Sequence, residues 1–283
     1  ERNWKGNGIF DVIKCYGDDC FFCELDADDE YNPDFLEKML AFITEYNLDV
    51  ATYGTDWVDD ETGKILRRKV PEENIILEGR LFADRFPAYR NFMVTLWGGL
   101  FSLKTLRSSD FKWYRTPWSF SDTCFCMESF RKSNRAGVFA ESLHKYYIAS
   151  TTDSNRYNRN WFSSSKKLLE ITKEYLLDYG RIDKQNENYL SVILLILIRY
   201  ILPRIQNAGV ELSEKLNCLY EIFNDEMTQH MLKHWSEVGI YSDKGEFLRE
   251  INDWIISQDG WRKHLSTVEK IIASMNIYVE ETE

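Results

Sequence analysis

The sequence predicts an α/β domain over residues 1–160, followed by a helical, all-α domain over residues 161–283. Three observations lead to it. An apolar stretch (Cys20, Phe21, Phe22, Cys23, Leu25) runs into an acidic cluster and then a helical pattern. Short β-branched and aromatic runs then recur as far as Ile148. From about Trp161 the apolar spacing changes to the helical period and keeps it.

The stretch from Cys20 to Leu40 organises the chain. It reads as a buried strand, an acidic turn (Asp26, Asp28, Asp29, Glu30) and a helix that Asn32 caps and Pro33 opens. Phe35, Leu36, Met39, Leu40 and Ile43 give that helix its apolar face. Carboxylates at the C-terminal end of a strand lie where α/β proteins bind ligands, and as hard oxygen donors they suit a divalent cation. Two plainer readings compete: a solvated acidic turn, and a calcium loop with Asp26, Asp28, Glu30, Asp34 and Glu37 as ligands. The calcium loop needs glycine where Tyr31 stands and a helix where a strand is written.

Asp49–Tyr53 is the next strand, after a helix ending near Asn47. Asp59–Lys64 is a hairpin turn leading to Ile65 and Leu66. Arg67, Arg68 and Lys69 either face phosphates or form a solvated face. Pro71–Arg90 reads as a loop with a short helix. Thr95–Phe101 is a strand, Ser121 caps a helix carrying Asp122, and Gly137–Ala140 and Leu143–Ile148 are two short strands. A helix start should lower the Asp122 carboxyl pKa. Six amphipathic helices follow: 168–179, 189–205, 212–223, 226–235, 247–256 and 265–275.

At 283 residues the chain can bury a sizeable core. Its net charge of −11 and pI of about 5.0 argue against nucleic-acid binding, which needs a basic face. Six scattered cysteines read as buried reduced thiols rather than a zinc site, which fits a cytoplasmic protein. The longest apolar run, Val192–Ile198, is too short to cross a bilayer.

Asp26-Ala27-Asp28-Asp29, followed by Pro33-Asp34-Phe35-Leu36, resembles the DXD region of family 2 glycosyltransferases of the GT-A fold, "FLDADD…PDFLEKM". Asn7-Gly8-Ile9 is similar to the family's "RNxGI" helix start, the turn at Thr62-Gly63-Lys64 to its hairpin, and Thr95–Phe101 to its "WGKLF" strand, with Gly99 in place of lysine. Ser121-Asp122 resembles the "ED" motif with serine for glutamate, and Leu143–Tyr147 its "LYyYR" return. The resemblance implies the C-terminal part of a GT-A nucleotide-diphospho-sugar transferase domain, with the first βαβα portion missing.

It further implies a metal-dependent inverting glycosyltransferase. Asp122 would be the catalytic base, facing the same crevice as the DXD turn. Asp26, Asp28, Asp29, Trp97 and His144 would bind the donor, and Asp28 would hold Mn²⁺ or Mg²⁺. The implied partners are a UDP-sugar and a glycan or polymer acceptor in bacterial surface polysaccharide synthesis, in the cytoplasm or at the inner face of the membrane. A homo-oligomer through the helical domain stays open. Trp97 and His144 have plainer readings as core residues. The alternative function is a non-catalytic sugar-binding or assembly module on the same fold.

Overall fold

The computed structural model describes residues 15–109, 111, 120–148, 157–180, 182–237 and 243–276, with only the backbone of Trp97. The expected helix start at Asn7–Ile9 and the Trp97 side chain therefore lie outside the described residues. The chain divides into two compact units, one of residues 1–152 with 170–182, the other of residues 153–169 with 183–283.

The first unit is built on two long strands lying parallel, β3 (Val50–Asp59) and β7 (Arg135–Ile148). Each is flanked end to end by short antiparallel strands. β3 carries β6 (Gly99–Ser102) at its start and β4 (Ile65–Lys69) at its end. β7 carries β5 (Ile75–Glu78) and then β2 (Glu30–Tyr31), while β1 (Phe21–Phe22) pairs with the far edge of β6. All seven form one mixed sheet. β3 is almost wholly buried because both its edges are occupied and α1 (Phe35–Tyr46) packs across it. Gly54 is needed in β3: a Cβ there would stand 2.7 Å from the Lys69 carbonyl oxygen and 2.9 Å from that of Glu141.

Helix α1 buries Phe35, Met39, Phe42 and Ile43 against Leu48, Ala51, Tyr53, Leu100 and Leu143. Each such side chain contributes roughly 1.5–3 kcal/mol by burial. Leu36 and Leu40, expected on that face, are exposed. The expected Asn32 cap is also corrected. The helix begins after Asp34 without a side-chain cap, and Asn32 reaches across to donate from Nδ2 to the Ser142 carbonyl at 2.9 Å. At the other end Asn47 closes the helix in the left-handed conformation, φ 51°. The expected buried strand at Cys20–Leu25 is only two residues long and half-buried.

The Asp59–Lys64 hairpin forms as the turn chemistry requires. Asp59 Oδ1 accepts from the Thr62 backbone N–H at 2.8 Å, and Gly63 takes φ 66°. Pro71–Arg90 contains β5 and the short helices α2 (Leu81–Asp84) and α3 (Phe86–Tyr89). The two strands expected at Gly137–Ile148 are one strand whose register slips opposite Gly54. α4 (Leu103–Ser108) and α5 (Ser121–Lys132) complete the sheet side. Residues 170–178 of α6 (Trp161–Asp178) also belong to this unit: the Tyr175 hydroxyl lies 2.8 Å from that of Tyr89, and the Tyr179 hydroxyl donates to the Phe130 carbonyl at 3.0 Å.

The second unit has no strand among its described residues. Its helices are the first half of α6, α7 (Lys184–Gln206), α8 (Leu212–Phe223), α9 (Glu226–Lys233), α10 (Lys244–Ser257) and α11 (Leu265–Asn276). Asp183, Asp225 and Asp243 cap α7, α9 and α10 through their carboxylates. α7 is long and apolar enough to cross a membrane by length and composition, contrary to the reading from its apolar run. Half of that stretch is buried inside the protein, including Ile193, Leu194, Ile198 and Ile201. All six cysteines are free; Cys124, Cys126 and Cys218 are buried as expected, whereas Cys15 is exposed and Cys20 and Cys23 are half-buried.

Candidate active site

The acidic turn after β1 is closed from within by Asp29. Its backbone N–H donates to the Asp26 carbonyl at 3.1 Å, and its Oδ1 accepts from the Tyr147 backbone N–H at 3.0 Å. Its Oδ2 lies 3.2 Å from His144 Nε2, with neither side chain exposed. Tyr31 packs edge-on against His144 and donates its hydroxyl to the Glu24 carbonyl. Asp29 and His144, both expected at the donor, thus face each other inside the protein and fix the turn to β2 and β7. Asp26 and Asp28 are what the turn presents outward, Asp26 half-buried and Asp28 exposed.

Asp122 lies in the first turn of α5. That helix is anchored by Thr123 Oγ1 on the Val94 carbonyl at 3.1 Å and by Cys126 Sγ on the Thr95 carbonyl at 3.2 Å. Phe120 occupies the cap position, so the expected Ser121 cap is corrected. Ser121 instead donates from Oγ to Asp122 Oδ1 at 3.3 Å. The Asp122 carboxylate is not consumed in capping its own helix and keeps solvent access.

Electrostatics join the two elements. Burial first, then Asp29, Asp122 and Asp28, push the Asp26 carboxyl above its ordinary value, with His144 opposing. Burial, then Asp26 and Asp122, do the same to Glu24. Asp122 is raised by burial, against the hydrogen bond from Ser121. That direction is opposite to the lowering expected from the helix start, and burial is its cause. Sequence reasoning missed Glu24; its one signal is an acid inside the apolar run Phe21–Leu25.

Among the described residues no group of three or more His, Cys, Asp or Glu gathers to hold a metal. A cation at Asp28 and Asp26 would take one or two carboxylates from the protein and the rest of its shell from water and a diphosphate. That is how Mg²⁺ is commonly held, so the donor set fits.

The model of glycosyl transferase family 2 matches residues 1–116. The uncharacterized glycosyltransferase YibD of Escherichia coli (strain K12) is 25% identical over 175 residues, 60% of this chain and 49% of YibD. The chain thus spans about half the length of that curated relative. Among solved structures, S. aureus TarS 1-349 superposes with a TM-score of 0.54 at 15% identity, over 82% of this chain and 64% of TarS 1-349. The same protein in complex with UDP gives a TM-score of 0.53 at 12% identity, over 93% and 67%. These likenesses establish the GT-A fold with a helical region after it.

Proposed function

We propose that this chain forms part of a metal-dependent inverting family 2 glycosyltransferase, moving a sugar from a nucleoside-diphosphate donor to a glycan or polymer acceptor in surface polysaccharide synthesis. What supports it is that Asp122, on a separate element, is among the carboxylates that raise Asp26 in the acidic turn. Asp26 would hold the nucleotide side of the donor, and the UDP in the TarS complex suggests a UDP-sugar. Asp28 would hold Mn²⁺ or Mg²⁺, which when bound neutralises charge on the diphosphate.

Asp122 would take the proton of the acceptor hydroxyl as its oxygen attacks the anomeric carbon, with the diphosphate leaving from the opposite face. One displacement of that kind inverts the anomeric centre. A carboxyl raised by burial is a stronger base once ionised, which suits this role. Asp29 and His144 would act through the turn they hold.

The test is UDP binding by calorimetry, with Mn²⁺ and with a chelator, followed by release of UDP from a UDP-sugar. Metal should tighten binding, and Asp28→Ala should abolish the difference. Equal affinity with and without metal overturns the role of Asp28. UDP binding without UDP release favours the non-catalytic module, to which Ser121 for glutamate and Gly99 for lysine point.

A further inference from the structure

The sheet face that carries Tyr31 and His144 continues past them. Residues paired in register on neighbouring strands point to the same side. One row runs Tyr31, His144, Thr55, Lys69, and the row two residues along runs Tyr146, Trp57, Arg67. The rings of Trp57 and Tyr146 meet edge to face at 5.5 Å, and the Arg67 guanidinium lies 5.7 Å from the Trp57 ring centre. Lys69 Nζ stands 5.3 Å from the Phe92 ring centre and donates to the Asn91 carbonyl. Trp57, Tyr146, Phe92 and Lys69 are half-buried and Arg67 is exposed, so rings and cations both reach solvent.

The opposite face of the same strands is arranged differently. There Arg68 pairs with Asp56 at 2.7 Å and Lys145 with Glu30 at 2.9 Å. Arg67 and Lys69 make no ion pair among the described residues, although the chain's net charge is −11. Burial, then Arg90 and Arg67, depress the Lys69 ammonium to about 8. Cations held this close without a carboxylate leave room for an anion from outside, and the flanking rings offer flat apolar faces to a sugar.

We propose that this platform binds a saccharide carrying a negative charge, its ring on Trp57 and Tyr146 and its phosphate or carboxylate at Arg67 and Lys69. In the transferase reading, on which this role rests, the ligand is the acceptor. The platform is tied to both elements of the site: Tyr31 and His144 hold the acidic turn, and the turn Arg90–Phe92 runs on to Val94 and Thr95, which anchor the helix of Asp122.

Calorimetry on the whole chain with glucose 6-phosphate, glucose, inorganic phosphate and Mn²⁺-UDP tests it. Glucose 6-phosphate should bind roughly tenfold tighter than glucose or phosphate, and added salt should weaken it. The double substitution Arg67→Gln with Lys69→Gln, and separately Trp57→Leu, should each cost roughly tenfold while UDP affinity holds. Arg67→Gln alone, at an exposed site, serves if a larger change unfolds the chain. No binding of glucose 6-phosphate, binding no tighter than phosphate, or binding unmoved by the substitutions overturns the proposal. So does a matching loss of UDP affinity, which would assign the cations to the donor diphosphate. Binding of glucose 6-phosphate without UDP supports the platform independently of the donor site.

Discussion

Carboxylates are treated in opposite ways in two regions of this molecule. Around the acidic turn, Glu24, Asp26 and Asp122 are each pushed above the ordinary carboxyl range, by burial first and for two of them by one another. Several acids elsewhere are matched. Arg68 holds the Asp56 carboxyl down, and Lys38 does so for Asp34, while His234 and Lys184 lower Glu237. Asp183, Asp225 and Asp243 cap helices. An acidic turn whose carboxylates raise one another, where these other acids have partners, suits a ligand that brings the positive charge. The arrangement costs stability, as functional sites commonly do.

The largest expected effect breaks the comparison at its centre. Asp122→Asn keeps shape and removes proton acceptance, so transfer should fall by roughly 10²–10⁴-fold while UDP affinity is nearly unchanged. Turnover assayed with donor and acceptor checks it. A fall of less than about threefold would make Asp122 an ordinary first-turn acid.

How much of this was legible beforehand depends on the range of the interaction involved. Local chemistry read well: the end of α1 near Asn47, the Asp59–Lys64 turn and the helices beyond Trp161 all follow from neighbours in sequence. Errors arose where a distant strand claims the residue. Asn32 has the composition of a cap, but Ser142, 110 positions away, takes its side chain. β5 has little pattern of its own and exists by pairing with β7. Asp29 and His144 look like ligands in sequence, and only the pairing of β2 with β7 shows that they face each other. Glu24 and the row from Tyr146 to Arg67 likewise depend on the sheet being assembled.

A smaller effect concerns pH. If Asp122 must be ionised to accept a proton, activity is lost as pH falls through its carboxyl pKa. Burial raises that value, so the acid limb of kcat/KM should lie above the roughly 3.9 of a free aspartate. In Asp122→Asn the residual rate should lose that limb. A wild-type limb at or below the free value would contradict the desolvated crevice.

The smallest effect sharpens the contrast between the regions through stability alone. Asp26→Asn removes a charge that its neighbours repel, so at pH 7 the variant should melt at the same temperature as the parent or higher. Asp56→Asn removes a carboxylate that Arg68 grips with two bonds of 2.7 Å, and should cost about 0.5–1 kcal/mol. The two must diverge on acidification. A raised carboxyl favours folding below the unfolded value and loses that contribution as pH rises through the folded one, so any gain from Asp26→Asn should fade once pH falls below the raised pKa. A lowered carboxyl contributes above the unfolded value, roughly 3.9, and loses that only as pH falls through the lower folded one. On lowering pH, the benefit at Asp26 should therefore disappear first, while the cost at Asp56 persists to more acidic conditions. Melting curves for parent and both variants at pH 7, 5 and 3.5 decide it. If Asp26→Asn destabilises at pH 7 as much as Asp56→Asn does, Asp26 is a structural acid like the rest and the two regions do not differ.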